Sequence, residues 1–239
     1  MFNLFSKLEE EKEDISQVIK SLMINCESCK LSLLHPQNQG FIYRGNIQAK
    51  IAVIYEAPRD AETERGVALV GGHGRLFERW CTFLGLDSRN DLFIMPSIHC
   101  QPPKVLDKEG ELTQRIPDGK EIVACFGPKT LRVLRAMPNL EVIVVLGWST
   151  CDLFLGVQEG KSGHKSSGGQ WFESSLFPGI PIFCLPELLW QMLSPGETKD
   201  AIIEQWLTYF KREYLELYSV TKLANLAKDK REKLGKGLL

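Results

Sequence analysis

The stretch Ile51-Ala-Val-Ile-Tyr-Glu-Ala-Pro-Arg-Asp60 decides the fold. Its first five residues are apolar and β-prone, with no alternation of polar positions. Such a run reads as a short strand buried on both faces, the kind found in parallel sheets. Ala57-Pro58 breaks it, and Gly71-Gly-His-Gly74 then opens a helix carrying Leu76, Phe77, Trp80 and Phe83 on its apolar side. Leu92-Phe-Ile-Met95, Val142-Ile-Val-Val-Leu146 and Ile180-Pro-Ile-Phe-Cys184 repeat the pattern. Helical segments are predicted over residues 10–24, 119–135, 149–155 and 199–218. Strands alternating with helices predict an α/β fold, three-layer α/β/α, around a four-stranded, mainly parallel central sheet. In such sheets the site lies in the loops at the carboxyl ends of the strands. Here those loops begin at Glu56, Pro96, Gly147 and Leu185.

The chain has 239 residues, 29 Lys+Arg against 30 Asp+Glu, and a net charge of -1. This balance excludes disorder, collagen-like repeats and coiled coil. No apolar run approaches the ~18 residues of a membrane span, so no membrane partner is expected. Met1 to Lys20 is charged and amphipathic without a signal-peptide core, so a cytoplasmic monomer is expected. Two units are read: a domain over residues 1–218 and a basic tail over 219–239. The tail, rich in Lys and Arg from Lys222 to Lys236, is either a solvated helix or a contact for phosphates. Residues 104–117 read as a polar surface loop, and residues 156–169 as a Gly/Ser/Lys loop.

Seven cysteines stand in the chain. In a cytosolic setting, Cys26-Glu-Ser-Cys29 points to a metal or a redox site. Soft thiolates select iron–sulfur clusters or zinc. Cys81, Cys151 and Cys184 fall in apolar segments and read as inert core residues.

Three motifs sit at strand ends: Tyr55-Glu-Ala-Pro-Arg-Asp-Ala-Glu62 with Leu69-Val-Gly-Gly-His-Gly74, Ile98-His-Cys-Gln-Pro-Pro103, and Leu185-Pro-Glu-Leu-Leu-Trp190. With Cys26, Cys29 and Cys125, this order resembles the family 4 uracil-DNA glycosylases, which carry an iron–sulfur cluster. The resemblance covers about Cys26 to Tyr214. It implies a 4Fe-4S cluster held by Cys26, Cys29, Cys100 and Cys125, with residues 104–117 as an insertion between the last two. It implies DNA as the partner and a base flipped out of the helix into a pocket. The loop bearing Glu56, Ala57, Pro58, Arg59, Asp60 and Glu62 would hold the water and one face of the base. Leu69 stands where the family has a Phe that stacks on the base. Gly71, His73 and Gly74 open a helix whose bare amides suit a phosphate. Leu188 and Leu189, beside Trp190, would form a wedge into the duplex. Lys161 and Lys165 are candidates for phosphate contacts, as is His164.

Departures from that pattern mark the base-reading groups. The family's last motif is His-Pro; here it is Leu185-Pro186, and leucine cannot donate a hydrogen bond. The family's Asn near the third cysteine has Pro96 in its place. His99 and His73 are candidate replacement donors. The expected reaction is hydrolysis of the N-glycosidic bond of a noncanonical pyrimidine, uracil or a modified base such as those of phage DNA. The rival expectations are a catalytically degenerate DNA-binding module of the same fold and, more distantly, a redox protein.

Overall fold

Every residue of Ile51–Tyr55, Leu92–Pro96, Val142–Leu146 and Ile182–Leu185 is buried, as the unbroken apolar runs require. The computed structural model describes residues 13–22, 26, 28–34, 41–156, 168–188, 192 and 196–216. Within them the strands are β1 (Arg44–Gly45), β2 (Ile51–Tyr55), β3 (Leu92–Pro96), β4 (Lys104–Leu106), β5 (Leu112–Gln114), β6 (Val142–Leu146), β7 (Gln170–Phe172) and β8 (Ile182–Leu185). The helices are α1 (Ile15–Leu22), α2 (Lys30–Leu34), α3 (Asp60–Arg65), α4 (Gly71–Leu84), α5 (Gly119–Cys125), α6 (Arg132–Ala136), α7 (Trp148–Leu155) and α8 (Glu197–Phe210). A π-helical turn over Phe126–Leu131 joins α5 to α6.

The central sheet has six strands in the order β1-β3-β2-β6-β8-β7. The four expected strands form its parallel middle. The expectation of four strands is corrected at the edges. β1 adds antiparallel to β3, and β7 antiparallel to β8. Both edge strands are only two or three residues long, too short to show a period in the sequence. Residues 104–117, expected as a loop, contain the antiparallel hairpin β4–β5. The last parallel strand starts two residues later than expected, after Pro181, whose missing N–H suits a strand's edge.

Alternation along each strand divides the core into two layers. Val53, Val144 and Phe183 pack on one face with Phe77 and Trp80 of α4 and Ile203 and Leu207 of α8. Ile54, Val145 and Cys184 pack on the other with Val18 of α1, Leu134 of α6 and Phe154 of α7. Cys81, Cys151 and Cys184 are core residues, as expected. Among the described residues no helix is long and apolar enough to cross a membrane. Lys161, His164, Lys165, Leu189, Trp190 and the 219–239 tail lie outside the described residues.

Register places the site. Tyr55 pairs with Pro96 on one side and with Leu146 on the other, and Leu146 pairs with Leu185. Four strands therefore end in one row, and the segments that follow them emerge side by side.

Candidate active site and thiol centre

Glu56, the first residue past β2, is partly buried, and burial raises its pKa. Ser149, in the first turn of α7, opposes this by donating to Glu56 Oε1 at 2.5 Å. The loop then turns into α3. Glu62 stabilises that start by accepting from the Arg59 backbone N–H at 2.8 Å, one half of a capping box. Its side chain is thereby drawn inward, and the residue is 2% exposed. Burial pushes Glu62 up to about 7, while the backbone N–H groups of Arg59 and Leu69 pull the other way.

Across the opening, Arg59 Nη2 meets Glu187 Oε1 at 2.5 Å. Glu187 follows the end of β8, so the pair joins the loops after two different strands. Leu69 takes φ +46°, a left-handed conformation rare for a bulky side chain. Gly74 accommodates it: a Cβ there would lie 2.2 Å from the Leu69 carbonyl oxygen. His73, on the first turn of α4, is half-buried, and burial lowers its pKa to about 4.

These groups enclose a cavity of about 20 Å³, lined by Tyr55, Glu56, Arg59, Glu62, His73 and Glu187 among others. Tyr55 Oη and the Glu62 carboxyl face each other, and the buried His73 Nε2 has no hydrogen-bond partner among the described residues. A buried orphan of this kind is rare in folded proteins. As it stands the cavity has room for about one water molecule.

Glu56, Ala57, Arg59, Glu62, Leu69, His73 and Leu188 thus come together in one pocket. Other expected site residues stand elsewhere. Asp60 is exposed and accepts from Gln101 Nε2 and Lys104 Nζ, both at 2.6 Å. Those partners lower its pKa, Lys104 foremost. His99 packs against Phe41, with centroids 4.1 Å apart and the rings tilted by 34°, and its Nε2 is 3.4 Å from Thr130 Oγ1. Burial holds His99 near a pKa of about 3, so it is a neutral core group, not a pocket donor. Leu185 points into the apolar layer beside Val144, Phe77 and Leu207, because alternation along β8 sends that position inward. Leu188, 2% exposed, forms pocket wall and core and does not project as a wedge. Pro58 and Pro186 are buried loop residues, and Gly71 takes φ +71° at the start of α4.

Sequence reasoning missed Tyr55, Ser149 and Glu187. Glu187 was within sight, inside the last motif. Ser149 carried no local signal, since only the register of β6 beside β2 brings it to Glu56. The hairpin was also missed as a support: Lys104, which opens it, holds Asp60, and Gln114 Nε2 donates to the Pro58 carbonyl at 3.0 Å.

Behind the pocket loop, Ala57 packs against Leu31, Ile98, Cys100 and Cys125, with Cys29 and Ile122 at the margin. Cys26 and Cys29 precede α2, Cys100 follows β3, and Cys125 ends α5. Cys125 acts on the Cys100 thiol, and Cys26 and Cys29 act on both. Burial raises Cys100 to about 12 and Cys125 to about 11. Burial acts the same way on Cys26, but Lys129 and Ser28 outweigh it and leave that thiol below its ordinary value. The His99 backbone N–H donates to Cys125 Sγ at 3.4 Å. Among the described residues, no three His, Cys, Asp or Glu side chains close around a single ion position. Cys100 and Cys125 share an apolar cluster with Cys29 at its margin, and thiols of this kind, with an N–H and a cation facing them, have the donor chemistry that suits iron–sulfur or zinc.

The family model of the uracil DNA glycosylase superfamily matches residues 42–219. A type-4 uracil-DNA glycosylase of Saccharolobus solfataricus is 34% identical over 131 residues, 54% of this chain and 54% of that protein. One of Archaeoglobus fulgidus is 31% identical over 137 residues, 56% of this chain and 60% of that protein. One of Thermotoga maritima is 26% identical over 144 residues, 60% of this chain and 68% of that protein. The chain thus spans little more than half the length of the first two of these curated relatives.

Proposed function

The chain belongs to the uracil-DNA glycosylase superfamily, and from that membership we propose that it is a DNA glycosylase. It takes a noncanonical pyrimidine, uracil or a modified base such as those of phage DNA, flipped out of the helix, and hydrolyses its N-glycosidic bond. The observation that carries this reading is the convergence of Tyr55, Glu62, the unpartnered His73 Nε2 and a Ser-bonded carboxylate in one pocket at the strand ends. DNA is the partner, residues 1–218 the catalytic domain, and the 219–239 tail a phosphate contact.

Breaking the bond builds positive charge on the sugar and negative charge on the departing base. Glu56, oriented by Ser149, is the carboxylate that holds the attacking water or faces the sugar. Glu62, Tyr55 and His73 are the groups that read the base edge in place of the family's His and Asn. Glu62 is protonated below about pH 7 and then donates as well as accepts. Leu69 and Leu188 supply the apolar walls that keep water from the base. Asp60 acts as a positioning residue: its ties to Gln101 and Lys104 fasten the loop to the cysteine segment and the hairpin. The small cavity means that the base enters as the loops joined by Arg59 and Glu187 part.

Cys26, Cys29, Cys100 and Cys125 are the residues that would hold a 4Fe-4S cluster. Bound there, it would supply thiolate bonds that tie α2, the β3 loop and α5 together behind Ala57.

The test is abasic-site formation on a panel of duplexes containing uracil and modified pyrimidines. Release of one base by the wild type, abolished in Glu56→Gln, supports the assignment. Asp60→Asn should keep part of the activity, since it retains its shape and some of its hydrogen bonding. A second reading is favoured by the closed cavity: a non-catalytic DNA-binding module. No product from any duplex, with DNA binding intact, would establish it.

A further inference from the structure

Lys129 is 7% exposed. A buried ammonium is costly unless an opposite charge faces it. Among the described residues no carboxylate pairs with it; the groups that act on it are the thiols of Cys26, Cys125 and Cys100. It lies four residues after Cys125 in the π-helical turn Phe126–Leu131. At about one turn's spacing, that places Lys129 on the side of the helix that carries Cys125. Such π insertions often mark functional sites. The side chain thus faces Cys26, Cys100 and Cys125 and is not among the residues that line the pocket.

We propose that Lys129 is the internal counter-charge of the cysteine centre, needed to load its cluster and to set the cluster's reduction potential. The inference rests on the iron–sulfur reading of the four cysteines. A cluster held by four thiolates is negative in its common states, and more negative once reduced. In surroundings of low dielectric a fixed cation beside it stabilises every loaded state. It stabilises the reduced state most, and so raises the potential.

The experiment uses anaerobically purified full-length wild type, Lys129→Met, Lys129→Gln and Lys129→Arg. Iron and sulfide per chain, the rate of iron loss to a chelator, and the potential in a dithionite titration are read for each. The two neutral variants should lose iron roughly ten- to a hundred-fold faster, the usual cost of removing an outer partner of a metal site. Whatever cluster they retain should be reduced at a lower potential, while Lys129→Arg stays near the wild type. Neutral variants that fail to load while Lys129→Arg loads also bear the proposal out. Full loading and unchanged potential in the neutral variants would overturn it. So would failure of all three variants to load, which would assign Lys129 a packing role. A wild type without iron brings down the cluster reading itself, and this inference with it.

Discussion

At the scale of single residues, Glu62 carries the sharpest consequence of burial. Its carboxyl titrates near 7 in the fold, against an ordinary value of 4.5. The folded state therefore binds more protons than the unfolded state between these values, and stability falls as pH rises through that window. Glu62→Gln keeps the polar contact to the Arg59 backbone but cannot ionise. Its stability relative to the wild type should therefore improve from pH 4.5 to 7, by up to ~3 kcal/mol at ~1.4 kcal/mol per pK unit. Urea unfolding of both proteins across that range measures this. Parallel curves would show that Glu62 is not buried in solution as it is here. His73 and His99 work in the other direction: their folded pKa values of about 4 and about 3 make the fold lose stability as pH drops below the ordinary histidine range. Their contribution cancels in the comparison, because both proteins share it.

The element that shapes the pocket is the entry to α4. Gly74 faces the Leu69 carbonyl at a distance that leaves no space for a methyl group. Gly74→Ala must push Leu69 out of its left-handed conformation or open the first turn of α4. Overpacking of this kind costs ~1–3 kcal/mol, and it should damage base release beyond the loss of stability, since Leu69 and His73 both line the cavity. Gly119, at the start of α5, has open space where its Cβ would lie, so Gly119→Ala should leave melting temperature and activity nearly unchanged. Equal effects from the two substitutions would remove the special role of the Leu69–Gly74 turn. The β4–β5 hairpin acts at the same scale. It is exposed along most of its length, yet it is tied to Pro58 and Asp60, so an element with little core of its own holds the pocket loop.

For the whole molecule, the net charge of -1 predicts weak binding to DNA, governed by local cations. Log affinity should fall linearly with log salt, with a slope of ~0.9 per phosphate neutralised. Deleting residues 221–239 removes five lysines and one arginine against two carboxylates, counted along the printed sequence. Fluorescence anisotropy on a short duplex should then show a smaller slope. An unchanged slope would take the tail out of the interface.

The sequence by itself determined the parallel middle of the sheet, its flanking helices and the order of the motif loops. Those features are written locally, in apolar runs and in Gly and Pro punctuation. It left the edges unread, because a two-residue strand such as Arg44–Gly45 exists only through its partner β3. The roles of individual side chains also waited on the fold. Asp60 and Glu62 stand two residues apart in one motif, but helical rotation of α3 turns one to solvent and the other inward. Leu185 and Glu187 stand two residues apart, yet the strand ends at Leu185, so the first packs in the core while the second, beyond Pro186, faces Arg59. Ser149 reaches Glu56 from 93 positions away, and Lys129 meets Cys26 from a distant helix. Such pairings depend on strand register and helix packing, which are set by the burial of the whole core and not by any segment alone.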